Sequence, residues 1–131
     1  MNSNRVKHAV SRTVVSLLLC VVSLEGLWTT PHVWASARTP AQQLVVVCHI
    51  SYVVAGIAVV IGIWRIARKT WMAVAFWGVA SLGAALGGPA AFGPSSALKA
   101  RVAGAVTIAI ILLTAGLLVY VRRITCDKAA K

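Results

Sequence analysis

Leu44 to Trp64 reads LVVVCHISYVVAGIAVVIGIW, without one Lys, Arg, Asp or Glu, between a polar lead-in (Thr39, Pro40, Ala41, Gln42, Gln43) and a basic exit (Arg65, Arg68, Lys69). An α-helix rises 1.5 Å per residue, so crossing a hydrocarbon core of roughly 30 Å takes about 20 apolar residues. This run meets that length. Its Val and Ile content would favour a strand in water, but lipid requires every backbone N–H and C=O to bond within its own segment, and helix prevails.

Working outward, two more uncharged stretches appear, between Lys69 and Lys99 and between Arg101 and Arg122. The third run starts at Trp71, and its end is set near Ala91 because Gly87, Gly88, Pro89, Gly93 and Pro94 crowd its second half; Phe92 to Ala97 then reads as a turn. The fourth, Val102 to Val121, closes on Tyr120, Arg122 and Arg123, with Ile124 to Lys131 as a short disordered tail. The first run is the weakest. As a transmembrane helix it begins near Ala9 and stops at Thr30 before Pro31. As a secretory signal it has a basic start (Arg5, Lys7, Arg12), an apolar stretch from Val14 to Leu24, and an Ala35-Ser36-Ala37 cleavage site before Arg38. The long, bulky interval from Glu25 to Trp34 favours the retained helix.

The expected fold is therefore all-α: one membrane-embedded domain over residues 1–131, an antiparallel up-down bundle of four transmembrane helices near 9–30, 41–64, 70–91 and 100–121, or three if the first is cleaved. Composition agrees, with 60% hydrophobic and 11% charged residues, against about 25% charged in a soluble domain.

A net charge of +11, from thirteen Lys and Arg against Glu25 and Asp127, would suggest nucleic acid in a soluble chain. Here the basic residues lie in flanks and loops, where they contact anionic headgroups, so no nucleic-acid partner is expected. Ten lie in the N-terminal flank, the second connection and the C-terminal tail; Arg38, Lys99 and Arg101 make three in the other two connections. By the positive-inside rule both termini are cytoplasmic, in a bacterial or archaeal plasma membrane.

Glu25 is the residue with most chemical potential, since an acid in a membrane helix is costly unless it hydrates or finds a partner. With the helix ending at Thr30 it sits about 7 Å below the outer end, and headgroup hydration competes with a proton or cation site. His49, about 12 Å below Ala41, lies at comparable depth. The two together form a candidate proton or ion site; the alternative for His49 is a local bond to Ser51, Tyr52 or a backbone carbonyl. His32 reads as an interfacial loop residue and His8 as part of the basic flank. Cys20, Cys48 and Cys126 have no metal-ligand or redox spacing, and adjacent Cys48 and His49 point about 100° apart, so no metal or cofactor is expected.

Ala80 and Ala84 on one face of the third run, with Gly83 and Gly87 on the next, form a small-residue packing surface; Gly88 extends the first row and Ala91 the second. Ser51, Ala55, Ala58 and Gly62 form a similar row on the second.

No nucleotide-binding, nucleophile-elbow or zincin motif occurs, and no enzyme is expected. The first functional expectation is a non-enzymatic subunit or accessory factor that packs with other membrane proteins or with itself. The second is a small proton-coupled transporter or channel: four helices with one acid in the first is similar to the layout of small multidrug-resistance transporters, although that family's aromatic and glycine pattern is not reproduced. A third layout resembles conjugative-pilin subunits, with cleavage near Ala37 followed by two apolar helices joined at Arg65 to Lys69; the run from Val102 to Val121 lies outside that layout. A phage-type holin is a weaker fourth.

Overall fold

The computed structural model describes residues 3–93 and 97–129. It is an all-α bundle of four helices, α1 (Ser3–Ser36), α2 (Pro40–Arg65), α3 (Thr70–Phe92) and α4 (Ala97–Ala129). All four contain stretches long and apolar enough to cross a membrane. The turn expected over Phe92 to Ala97 falls largely on residues outside those described.

Two boundaries differ from the sequence expectation. α1 continues through Pro31 to Ser36 instead of stopping at Thr30. Proline takes one backbone N–H out of the ladder, yet lipid offers no better conformation, and Thr hydroxyls in the preceding turn bond back to carbonyls of their own helix. Thr30 Oγ1 donates to the Gly26 carbonyl (2.6 Å) and Thr29 Oγ1 to that of Glu25 (3.0 Å). α4 likewise runs past Val121 through Ala129, so residues 124–129 are helical where a disordered tail was expected. Val121 and Ile124, one turn apart, are both buried and carry the helix onward.

α2 begins with a capping box. Gln42 N–H donates to Thr39 Oγ1 (3.3 Å), and Gln42 Oε1 accepts from the backbone of Thr39 (3.1 Å) and Arg38 (2.7 Å). These bonds satisfy amides that the first helical turn leaves unpaired. The same Gln42 side chain reaches the far end of α3, donating from Nε2 to the Ala91 carbonyl at 3.2 Å. At its other end α2 stops on Ile66, in the left-handed conformation at φ 50°, with the Ala67 N–H returning to Gly62 at 3.1 Å.

The helices pack in chain order, α1 on α2, α2 on α3, α3 on α4, and the α2–α3 seam is the most extensive. Buried residues recur at alternating steps of three and four: Tyr52, Gly56, Val59 and Ile63 on α2, with Val45 seven residues before Tyr52, and Thr70, Val74, Trp77, Ser81 and Ala84 on α3. That is the stripe by which a 3.6-residue helix faces a neighbour. In lipid no hydrophobic drive pulls helices together, so close van der Waals contact has to do it. Gly83 and Gly87 allow that contact. A methyl built on Gly83 would stand 2.8 Å from Cys48 Sγ, and one on Gly87 2.9 Å from Val45 Cγ2. Ala80 and Ala84 are buried beside them.

Gly88, in the same row of fours as Ala80 and Ala84, meets nothing within 4 Å. A row of fours turns about 40° per step past a 3.6-residue helix and soon leaves the interface. In the row on α2, Ala55 is buried and Gly62 faces Thr70, whereas Ala58 between them is exposed.

α4 engages the bundle mainly through its second half, where Leu117, Val121 and Ile124 are buried. Thr114 fits against Gly78 of α3. Residues 101–112 are mostly exposed.

Candidate functional site

A cleft of about 450 Å³ lies in the half of the bundle nearer Arg38, with walls from all four helices. α1 contributes Val22 and Glu25, and α2 contributes His49 and Tyr52. α3 forms the floor with Trp77, Ser81, Ala84 and Ala85, while Val106, Ala109, Ile110 and Leu113 come from the first half of α4 and its approach to the packed region.

The extension of α1 changes the depth of Glu25. Measured from Ser36 it lies about 16 Å along the helix, and His49 lies about 14 Å from Pro40, so the two sit at nearly one level along the bundle. They line the same cleft but are not bonded to each other. Tyr52 stands between them. Its phenol donates to Glu25 Oε2 at 3.2 Å, and its ring lies 5.7 Å from the His49 ring, tilted by 55°. His49 and Tyr52 are three residues apart on α2 and therefore share a face.

Tyr52 reaches Glu25 because of Gly26. The phenol of Tyr52 and the Val53 side chain fill the space that a side chain at position 26 would need. Gly26 belongs to a row on α1, Ser16, Leu19, Ser23 and Gly26, that is buried against the bundle at steps of three and four. Ser16 Oγ accepts from Trp64 Nε1 at 3.0 Å, fixing α1 to α2 at the opposite end of the same row.

His49 Nδ1 is 2.9 Å from the Val45 carbonyl. A carbonyl only accepts, so Nδ1 carries the proton and Nε2 of the neutral ring is left as an acceptor. Cys48, next in sequence, points instead to Gly83 on α3. Among the described residues, no three His, Cys, Asp or Glu side chains converge as a metal site requires.

Among the described residues, three buried polar atoms beneath the cleft have no hydrogen-bond partner and almost no accessible surface: Trp77 Nε1, Ser81 Oγ and Ser23 Oγ. Ser23 Oγ and Trp77 Nε1 both border Gly56, at 2.6 and 3.5 Å from a methyl built there. Buried polar atoms are almost always paired, with protein, water or ligand, because leaving one unpaired costs about 1–3 kcal/mol.

The sequence pointed to Glu25 and His49, and the fold brings both to one cavity. It did not single out the bridging role of Tyr52, the spacing role of Gly26, or the donors Trp77 and Ser81. The signal for Gly26 was present as the small residues Ser16, Ser23 and Gly26, at steps of seven and three in the first run. Trp77 and Ser81 carried a weaker one, two hydrogen-bonding side chains one turn apart in an apolar span. His32 is exposed near the end of α1, and Cys20 is exposed on its length, neither lining the cleft. No known protein family, curated protein or solved structure matches the chain.

Proposed function

We propose that this is a non-enzymatic membrane protein that passes protons, alone or in exchange for a cation, through the four-helix cleft: a small proton-coupled transporter or channel. The observation that carries this reading is the Glu25–Tyr52 hydrogen bond, 3.2 Å across the α1–α2 boundary, with His49 on the same cavity wall. Glu25 holds or releases the proton, Tyr52 orients the carboxylate, and Nε2 of His49 offers the next acceptor. The ten-to-three distribution of basic residues supports cytoplasmic termini, so that the cleft lies in the outer half of a plasma membrane.

A second reading, an accessory subunit that packs with other membrane proteins or with itself, is favoured by α4, whose apolar stretch is almost entirely unburied. The pilin-like alternative would remove α1 at Ala37 and with it Glu25, Ser16 and Leu19. The buried row on α1 weighs against it.

The test is proton flux in liposomes holding the purified protein, with an internal pH dye and an imposed gradient, alone and with Na⁺, K⁺ or tetraethylammonium outside. Faster dissipation than in protein-free vesicles, returned to baseline by Glu25→Gln, is expected. Wild-type flux equal to protein-free vesicles under every one of these conditions would overturn the reading.

A further inference from the structure

Among the described side chains every Lys and Arg is exposed except Arg12, which is partly buried. It comes six residues after Val6, where the first apolar span begins, or about 9 Å along the helix. It also falls on the inner face of α1, one turn before Ser16 in the buried row Ser16, Leu19, Ser23 and Gly26. Among the described residues its Nε is enclosed and bonded to nothing, whereas Nη1 and Nη2 are not enclosed. The guanidinium is therefore covered at its root and open at its tip.

Two bonds set the antiparallel register of α1 on α2, Trp64 to Ser16 at 3.0 Å and Tyr52 to Glu25 at 3.2 Å. Continued by one turn, that register brings Arg12 level with the connection between α2 and α3, where Arg65, Arg68 and Lys69 are exposed. The chain holds only two acids to answer these charges. Glu25 stands about 20 Å further along α1, and Asp127 belongs to α4, whose main packing is on α3. A guanidinium drawn toward an apolar interior is costly without a counter-charge. At the end of a membrane-spanning bundle the abundant anion is the lipid phosphate. Beyond Arg12, α1 exposes Leu17 and Leu18, hydrocarbon surface along which acyl chains can lie.

We propose that Arg12 anchors a site for one anionic phospholipid of the phosphatidylglycerol kind. Nη1 and Nη2 donate to two oxygens of the phosphodiester, a planar pairing that Arg makes and Lys cannot. Arg68 and Lys69, at the same level, add attraction for the phosphate and repel the ammonium that a zwitterionic headgroup would bring with it. The general pull of basic loops on anionic headgroups depends on charge alone; this site holds one lipid and depends on one side chain. It stands apart from proton movement through the cleft.

Native mass spectrometry of the full-length protein, released from neutral-detergent micelles with equal amounts of dioleoyl phosphatidylglycerol and dioleoyl phosphatidylcholine, reads the site directly. One phosphatidylglycerol adduct, favoured about tenfold, is expected. Arg12→Gln should weaken it about tenfold, and Arg12→Lys, which keeps the charge and loses the fork, about threefold. Lys7→Gln and Arg123→Gln each remove one charge from the same end of the bundle and should stay within about twofold. Excess inorganic phosphate should not displace the lipid, and Asp127→Asn should also stay within about twofold. Should Arg12→Gln fail to fold, Arg12→Lys against Lys7→Gln decides alone. No preference between the two lipids, or equal losses from Arg12→Gln, Lys7→Gln and Arg123→Gln, would overturn the proposal in favour of diffuse attraction. Displacement by inorganic phosphate would overturn it in favour of a free-anion site. A gain of about tenfold in Asp127→Asn would show that Asp127 already holds the guanidinium, and would overturn it as well.

Discussion

The α2–α3 seam and the space between α1 and α4 are built from the same apolar alphabet and end differently. Along the seam, glycines face side chains of the opposite helix, Gly83 to Cys48 and Gly87 to Val45, and the backbones come close enough to leave no room for a ligand. On the other side α1 and α4 each lean mainly on one neighbour, and residues 101–112 of α4 stay mostly exposed. Polar groups follow that division. Trp77 and Ser81 belong to the same buried α3 stripe as Val74, but they fall where the stripe passes from the seam to the cleft floor. In lipid, where closeness alone holds helices together, a region that gives up closeness needs another reason to keep its polar atoms buried.

The contrast breaks most readily at the seam. Gly83→Leu should destabilise the protein by about 2–3 kcal/mol through overpacking, read as a lower melting temperature in detergent, while Leu86→Ala, at an exposed position, should change little. Tolerance of Gly83→Leu would mean the backbones stand farther apart than described. On the cleft side, Tyr52→Phe should cost about 1 kcal/mol, the net value of one hydrogen bond to a charged partner at a partly open site. In the Glu25→Gln background the same change should cost less, because the shared interaction is lost only once. Additive losses would contradict the Glu25–Tyr52 bond.

Thr39→Ala tests the tie at the Arg38 end. Loss of the cap should cost about 1 kcal/mol. Because Gln42 also reaches Ala91, Gln42→Ala should cost at least as much and loosen the end of α3, seen as faster amide exchange near Ala91. The smallest effect belongs to α4. Among the described residues nothing lies within 4 Å of a methyl at Gly116, so Gly116→Leu should stay within about 0.5 kcal/mol in the isolated protein. A large loss of an oligomer or complex in membranes with unchanged monomer stability would favour the accessory-subunit reading over the carrier.

Much of the fold was readable before any coordinates, because uncharged run length is a direct demand of the bilayer and hardly depends on tertiary detail. The end of α1 was not. Pro31 is a sound helix stop in water, and the rule fails where the chain has no solvent to turn into. With the helix continued to Ser36, Glu25 lies about 16 Å from its end instead of about 7 Å. Of the site, the two titratable residues were visible as polar outliers, whereas Tyr52, Trp77 and Ser81 are ordinary membrane residues until packing decides which of them lose a partner. Ala80 and Ala84 are buried, and Gly83 and Gly87 face α2 side chains, whereas among the described residues nothing lies within 4 Å of Gly88, because a spacing of four tracks a helix face only briefly.

The central claim is that a polar cleft enters the membrane-spanning part of the bundle between α1 and α4. It is tested most directly by thiol labelling in a background with Cys20, Cys48 and Cys126 replaced by Ala. Single cysteines at Ala85 and Ala109, on the cleft, are compared with cysteines at Val79 and Ile108, exposed on α3 and α4 away from it. A charged, membrane-impermeant thiol reagent should modify the two cleft cysteines in intact membranes and leave the two lipid-facing ones untouched. No modification at Ala85→Cys and Ala109→Cys, or equal modification at all four positions, would contradict the account.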